Sequence, residues 1–334
     1  MNKHFTDVTG WPNDSFVLPN YDIAVVTGTY NRAHLLLRSL FHYQACKRPT
    51  WKYEPRIEGN EEDMCICLVV MDDGSTDFTR ELCEKFANEQ LPIYYFYMGD
   101  KQPGQWRDSA AFINQGMSFA LHGLQASFVF PTHPEICVGE DTIATIVDYC
   151  KENKDAFGMA KGYYLTPEQQ SQFTFYKGEY WEYLKSLNDP HESYPLQDFF
   201  HDLGIAAFIQ ENPDFYNYGD PTHGYHHAQV EKAKTWDSWI FCGARRETWL
   251  KFGGFGESNA WGSVDLNFHS RRYNGGFITW TPEGQNNMVV HQSHDDPNVN
   301  TVTPRDMDLC MKTAGEINNE PLQPNLINPN RWIK

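Results

Sequence analysis

Unbroken apolar runs that end in polar turn clusters organise the first half of the chain. The strongest covers residues 65–71 and continues into Asp72-Asp73-Gly74-Ser75-Thr76-Asp77. An apolar run without alternation is typical of a strand that is buried on both faces. Shorter runs at residues 21–29, 91–98 and 128–130 predict three further strands.

Amphipathic segments separate these runs. Apolar residues recur at helical spacing from Leu35 to Tyr43, and residues 78–86 and 106–121 show a similar pattern. Strands that alternate with helices through residue 150 predict an α/β fold, with a Rossmann-like, doubly wound and mostly parallel sheet and helices on both faces. In open sheets of this kind, ligands bind beyond the carboxyl ends of the strands.

Polar residues at two of these strand ends are therefore candidates for ligand binding. Asp72 and Asp73 follow the strongest strand, where a carboxylate could accept a hydrogen bond from a hydroxyl or a ring N–H. The simpler alternative is that Asp77, or one of the pair, caps the next helix. Gly28 allows close backbone approach, and Arg32 lies where it could meet a phosphate, although a solvated first-turn arginine has the same spacing.

The pattern weakens after residue 150, where aromatic residues and then histidines become dense. A long irregular segment of this kind is more often a lid or a recognition surface than filler. The pattern recovers at Trp236. These changes divide the chain into an N-terminal extension (1–20), a first half (21–150), an aromatic- and histidine-rich insertion (151–235), a second half (236–296) and a tail (297–334).

Composition narrows the class of protein. The 334 residues include 27 Lys and Arg against 44 Asp and Glu, a formal charge of −17. This charge argues against broad affinity for nucleic acid or anionic membranes, but it is compatible with a local basic groove. No segment has the roughly 20 apolar residues that a membrane span needs. No signal peptide is visible in residues 1–20, so a cytoplasmic location is expected. The eight cysteines are expected to be reduced core thiols.

Two glycine-rich phosphate-binding motifs are absent. No G-x-G-x-x-G follows the first strand, and no G-x-x-x-x-G-K occurs. A metal ion or a few basic side chains would therefore have to neutralise any bound phosphates.

Taken together, the motifs resemble a family-2-type glycosyltransferase of the GT-A fold, over most of residues 21–150 and 236–296. The second half also resembles the β-1,4-galactosyltransferases. The resemblance rests on Thr27-Gly28-Thr29-Tyr30-Asn31-Arg32, Val70-Met71-Asp72-Asp73-Gly74-Ser75-Thr76-Asp77, Arg107, Ile113-Asn114-Gln115, Gly254-Phe255, Trp261-Gly262, Asp265 and Met288-Val289-Val290-His291-Gln292-Ser293.

The resemblance implies an inverting transfer of a sugar from a nucleotide-diphosphate donor, with a UDP-sugar as the first expectation. It implies that Asp73 accepts a hydrogen bond from the nucleobase, that the Thr27 backbone lines the base pocket, and that Arg107 lies near the phosphates. Tyr30, Arg32 and Asp72 are further candidates for binding the nucleotide sugar. Asp265 matches the catalytic base that deprotonates the acceptor hydroxyl. The alternative for Asp265 is a cap or first-turn residue of a helix.

The metal-binding Asp-x-Asp of the family is replaced here by His133-Pro134-Glu135. If these take the same positions, Glu135 becomes the metal-binding carboxylate, with His291, His133 and Met288 as further ligands. Imidazole suits Mn²⁺ better than Mg²⁺. The alternative is a metal-independent enzyme in which basic side chains neutralise the diphosphate.

The acceptor and the competing functions stay open at the level of sequence. Trp261 and Trp236 would offer faces for a sugar ring. The resemblance implies a glycan or glycolipid acceptor first, and a modified DNA base ranks below it because the acidic chain would need a local basic groove. A nucleotidyltransferase would usually show a glycine-rich loop with a lysine after the first strand, which Gly28 to Arg32 lacks. A non-catalytic nucleotide or sugar binder on the same scaffold is the alternative from a different class.

Overall fold

The computed structural model describes residues 2–12, 18–50, 64–101, 107–164, 241–257, 264–282, 287–292 and 324–332. The strands are β1 (Phe5–Asp7), β2 (Ile23–Thr29), β3 (Ile66–Asp72), β4 (Ile93–Tyr97), β5 (Phe128–Thr132), β6 (Ile136–Val138), β7 (Ala156–Met159), β8 (Lys161–Tyr164), β9 (Cys242–Arg245), β10 (Ile278–Trp280) and β11 (Met288–His291). The helices are α1 (Ala33–Ala45), α2 (Thr79–Phe86), α3 (Ser109–Ser118), α4 (Thr142–Glu152), α5 (Arg246–Phe252) and α6 (Val264–Asn274).

Eight strands form one sheet in the order β1-β4-β3-β2-β5-β9-β7-β10. All neighbours are parallel except β9, which is antiparallel to both β5 and β7. This confirms the expected mostly parallel α/β sheet. A smaller sheet joins β6, β11 and β8, and it brings the C-terminal strand β11 next to the segment that follows β5.

Alternating residues of the central strands explain why helices cover both faces. Ile23 and Val25 of β2 belong to the core beneath α1, α2 and α4, whereas Ala24 and Val26 belong to the core beneath α3, α5 and α6. β3 is buried along its whole length, so the unbroken apolar run reflects a strand that is buried on both faces of the sheet. None of the described helices is both long and apolar enough to cross a membrane.

Several predicted boundaries shift in the structure. β3 starts and ends one residue later than the apolar run, which places Asp72 inside the strand. The expected helix at 106–121 begins only at Ser109, after the capping residue Asp108, and ends in a π-helical turn at Phe119–Gly123. Arg107 therefore lies before the helix. Cys65, expected in the core, is exposed, because the strand begins after it.

The first residues of the predicted insertion (151–235) form regular secondary structure. The predicted boundary at residue 151 falls within α4, and β7 belongs to the main sheet. A four-residue strand is too short to show a pattern in the sequence. Residues 165–235 lie outside the described residues.

The half-buried His42 of α1 predicts a measurable pH dependence of stability. Its ring Nδ1 donates a hydrogen bond to the Val138 carbonyl oxygen at 3.1 Å, and burial lowers the pKa of His42 to about 4. The unfolded chain therefore binds the proton first, and the stabilisation from neutral His42 is present above pH 6.5 and lost as the pH falls towards 4. Between pH 7 and pH 5 we expect this term to reduce the free energy of unfolding by about 2 kcal/mol.

Urea unfolding of the wild type and His42→Gln at both pH values isolates this term, because glutamine keeps a donor but does not titrate. Equal losses of stability in the two proteins would contradict the assignment.

Candidate functional site

The carboxyl ends of β2, β3 and β5 meet at one edge of the sheet. Thr29 pairs in register with Asp72, and the Asp73 N–H donates to the Thr29 carbonyl oxygen at 2.9 Å. On the other side of β2, Thr27 pairs with Thr132 at the end of β5. The loops that follow these strands are thereby held together at the edge where ligands bind in such folds.

Asp72 is a structural residue of this edge. It is 1 % exposed, and its carboxylate accepts hydrogen bonds from the Tyr95 hydroxyl and from the Ser75 N–H, the latter at 2.7 Å. Burial raises the pKa of Asp72 even though these hydrogen bonds oppose the shift. Asp72 therefore shapes the turn that presents Asp73.

Asp73 is neutralised by two cations. Its Oδ2 lies 2.7 Å from Lys101 Nζ, and its Oδ1 lies 3.2 Å from Arg107 Nη1. Arg107 also donates to the carbonyl oxygens of Met98, Gly99 and Asp100 at 3.1, 3.0 and 2.7 Å. The structure thus places Arg107 at Asp73 and the loop after β4, and a role at the phosphates would require it to leave these acceptors.

Lys101 is a site residue that the sequence did not reveal. Besides its ion pair with Asp73, its Nζ lies 4.1 Å from the centroid of the Tyr30 ring. A single lysine in a polar loop has no pattern to mark it. The backbone of Gly74, at φ +90°, packs against the loop that carries Lys101, and an added Cβ would lie 2.6 Å from the Gly99 carbonyl oxygen. This close packing keeps Lys101 beside Asp73.

Thr27 and Gly28, which follow one another at the end of β2, have structural roles. The Thr27 side chain is fully buried, so that only its backbone is near the edge. An added Cβ on Gly28 would lie 2.5 Å from the Phe112 ring, so glycine is required for α3 to pack against β2. The close approach expected at Gly28 is therefore made by α3.

Asp77 caps two chain segments at once. Its Oδ1 accepts from the Thr79 N–H at 3.1 Å, and its Oδ2 accepts from the Ala33 N–H at 3.0 Å. Asn31, at φ +50°, links the same two loops, because its N–H donates to Ser75 and its side chain accepts from Thr76 N–H. Asp77 thus accepts from the first helical N–H of both α1 and α2, although Phe78, and not Asp77, holds the N-cap position of α2.

A second charged cluster surrounds Glu135, whose side chain is 5 % exposed. Arg32 Nη1 lies 2.9 Å from Glu135 Oε2, whereas His291 Nε2 and His133 Nδ1 lie 3.5 and 3.8 Å from Oε1. The Gln292 N–H donates to the Glu135 carbonyl oxygen at 3.0 Å, which holds the end of β11 against this segment. Arg32 is thus paired with a buried carboxylate and is not a solvated first-turn residue.

The donor atoms around Glu135 fit a divalent cation in type and in pairwise spacing. Two ligands at about 2.1 Å from one metal are separated by about 3–4 Å, which matches both histidine–carboxylate distances. However, within the described residues no three His, Cys, Asp or Glu side chains converge on a formed metal site. Arg32 holds the other carboxylate oxygen, and the structure does not describe the Met288 side chain.

The residues predicted on the acceptor side are only partly described. The backbone of Asp265 lies in the first turn of α6, and its side chain is not described. Trp261 and Trp236 lie outside the described residues. Asn114, quoted above only as part of a motif, bonds the backbone of Phe255 through both of its side-chain atoms, at 2.8 and 2.7 Å. This amide fixes the segment that leads towards α6.

Removal of the Asp77 carboxylate should disturb both loops of the site. We expect Asp77→Ala to lower the free energy of unfolding by about 1–2 kcal/mol, because two helix N-termini lose a cap. Asp77→Asn, which retains one acceptor oxygen, should lose less. Urea unfolding checks the order, and a loss equal in both variants would contradict the double cap.

Comparisons with known proteins give similarity only at low identity. No family model matches the sequence, and no curated protein matches it. The solved structures that are similar include the mannosyltransferase PcManGT from Pyrobaculum calidifontis in complex with GDP-Man and Mn²⁺, with 15 % identity over 94 % of this chain and 70 % of that chain, at a TM-score of 0.47. They also include S. aureus TarS 1–349 in complex with UDP-GlcNAc, with 13 % identity over 93 % of this chain and 70 % of that chain, at a TM-score of 0.49. Similarity at these values identifies no residue and no activity.

Proposed function

We propose that the protein is an inverting glycosyltransferase of the GT-A fold, which transfers a sugar from a nucleotide-diphosphate donor to a hydroxyl group. The observation that carries the proposal is the order of charged groups along one sheet edge. Asp73 with its two cations lies at the end of β3, and the Arg32–Glu135 pair with two histidines lies beyond β5. Three adjacent strands span about 10 Å, so the base and the diphosphate of one nucleotide fit the two clusters.

Asp73 would recognise the base. A carboxylate has about four lone-pair positions, and the ion pairs with Lys101 and Arg107 use two of them. A ring N–H of the base can therefore donate to Asp73 without displacing either cation. Tyr30 would line the same pocket, and a UDP-sugar remains the first donor to test.

The cluster around Glu135 would bind the diphosphate. Arg32 supplies a fixed positive charge, and Glu135, His291, His133 and Met288 would hold a divalent cation, with Mn²⁺ preferred over Mg²⁺ because imidazole is a donor. Held by these residues, a cation would supply Lewis-acid stabilisation of the leaving diphosphate. Because Arg32 already neutralises Glu135, it would have to turn from the carboxylate to the phosphates when both cation and donor are present.

Asp265 would act as the base on the attacking hydroxyl. A single base opposite a leaving group that needs no proton implies inversion at the anomeric carbon. A glycan acceptor, stacked on Trp261 and Trp236, is preferred to a DNA base because the chain carries a charge of −17.

A non-catalytic nucleotide or sugar binder is the second candidate. The observation that favours it is the Arg32–Glu135 ion pair, since the carboxylate that a catalytic metal needs is already neutralised. The two candidates differ in turnover and not in affinity for nucleotides.

Release of nucleotide diphosphate tests the first candidate. The full-length protein is incubated with a panel of nucleotide sugars and Mn²⁺, with and without EDTA. We expect release from one donor, with a loss of at least about 100-fold in Glu135→Gln. Glu140→Gln is the matched control, because Glu140 is half exposed and pairs with Lys47. Release unaffected by EDTA and by Glu135→Gln would contradict the metal site, and nucleotide binding without any release would favour the binder.

The assignment of Asp265 has its own test. Asp265→Asn should reduce transfer by about 100-fold or more while the Kd for the nucleotide stays within about twofold. Asp148→Asn, on the exposed face of α4, serves as control. Wild-type transfer rates in Asp265→Asn would exclude the base, and NMR of the product would exclude inversion if the anomeric configuration were retained.

A further inference from the structure

Arg272, in the last turn of α6, is a buried cation without a carboxylate partner in the described part of the chain. The residue is 7 % exposed. Its Nη2 lies 3.1 Å from His269 Nδ1, and its Nη1 lies 3.7 Å from the Met159 sulfur. Its Nε is buried and has no hydrogen-bond partner. A thioether and a histidine ring are weak partners for a guanidinium.

Other arginines of the described residues are placed differently. Arg245 lies 3.4 Å from the carboxylate of Glu247, and Arg331 lies 2.7 Å from that of Glu257. Arg271, next in the chain to Arg272, donates to the Asn267 side chain and to the Gly254 carbonyl oxygen at 2.7 and 2.6 Å. Among the described residues Arg272 has neither a carboxylate nor a carbonyl acceptor for its side chain, and its guanidinium carbon lies 6.0 Å from the centroid of the Phe268 ring.

An uncompensated buried charge is unfavourable. Burial lowers the pKa of Arg272 to about 10, so the side chain remains charged at neutral pH although desolvation opposes the charge. The C-terminal end of a helix offsets only part of this cost. A bound anion would supply the charged partner that Arg272 lacks among the described residues.

The position of Arg272 connects it with the site. β7 is antiparallel to β9, which is antiparallel to β5, so β7 and β5 run in the same direction. Met159, the last residue of β7, therefore lies at the same sheet edge as Glu135 and Asp73, two strands or about 10 Å beyond β5. The Arg272 guanidinium contacts Met159 at this end of β7, whereas the Arg272 backbone lies at the other end, where its carbonyl oxygen accepts from the Phe277 N–H at 3.1 Å.

The spacing of residues along α6 also relates Arg272 to Asp265. Positions 265, 269 and 272 are four and three residues apart, so they occupy one face of the helix. The residue proposed as the base, Asp265, begins this row, and Arg272 ends it. The Arg272 side chain therefore extends from the last turn of α6 towards the end of β7 that lies on the side of the site.

We propose that Arg272, together with His269, binds an oxyanion, a phosphate or a carboxylate, that is carried by the acceptor substrate. The assignment to the acceptor rests on the proposed function, whereas the binding of an anion at Arg272 does not. A guanidinium presents a fork of N–H donors that matches both oxyanions. The acceptor would accordingly be an anionic glycan rather than a neutral one.

Calorimetry with inorganic phosphate and, separately, with acetate tests the site. Both anions are titrated into the full-length wild type and Arg272→Met, and into the same pair carrying Arg32→Gln, which removes the arginine at the diphosphate end. We expect at least about tenfold weaker binding of one anion after Arg272→Met in both backgrounds. Arg272→Lys should retain part of the affinity, and the matched control Arg245→Met should retain all of it.

Thermal unfolding separates an anion site from a structural role. If Arg272 is an unpaired buried cation, Arg272→Met in anion-free buffer should have a Tm equal to or above that of the wild type, and the rise in Tm on adding the anion should be lost. A lower Tm of Arg272→Met in anion-free buffer, or unchanged affinity for both anions, would overturn the proposal.

The two probes also identify the source of the oxyanion. A preference for phosphate would indicate a phosphorylated acceptor, and a preference for acetate would indicate a carboxylated sugar. Nucleotide binding is measured on the same proteins. Loss of anion affinity in Arg272→Met without any nucleotide binding in the wild type would retain the anion site and refute the proposed function. Nucleotide binding with anion affinity independent of Arg272 would do the reverse.

Discussion

The in-register parallel pairing of β2 with β3 is the constraint on which the candidate site depends. It sets Thr29 beside Asp72, and the Asp73 N–H continues the ladder one residue further. Because both strands end together, their loops must lie side by side, and Asp77 and Asn31 bond one loop to the other. These hydrogen bonds fix the two loops relative to each other beside Asp73.

Charge balance is the second feature of this edge. Asp73 is paired with two cations and Glu135 with one, so neither carboxylate is buried alone. Buried carboxylates of this kind require partners, and here the partners are side chains that could also contact phosphates. Ligand binding at this site would therefore rearrange existing ion pairs. The positions of Arg32 and Lys101 thus indicate where a ligand would bind as much as those of Asp73 and Glu135 do.

Arg272 is the exception to this balance. It lies at the same edge, in a chain that carries 44 acidic residues, yet no described carboxylate pairs with it. This lack of a carboxylate partner among the described residues is the physical basis of the proposed anion site. Under the proposed function, the neutralised clusters would hold the donor and Arg272 would contact the acceptor.

The sequence alone determined the mostly parallel sheet, because burial on two faces leaves unbroken apolar runs along the chain. It also marked Asp73 as a candidate by its place at a strand end, whereas Glu135 was a candidate only through the resemblance to a known family. Only the tertiary structure decided that Asp72 is a buried residue at the end of β3 while Asp73 is paired with two cations, that Arg107 binds Asp73, and that Lys101 lies beside it. It also decided that His291 meets Glu135, since β11 pairs with β6 across most of the chain. Such contacts depend on how distant segments close on one another, and side-chain spacing along the sequence carries no record of that closure.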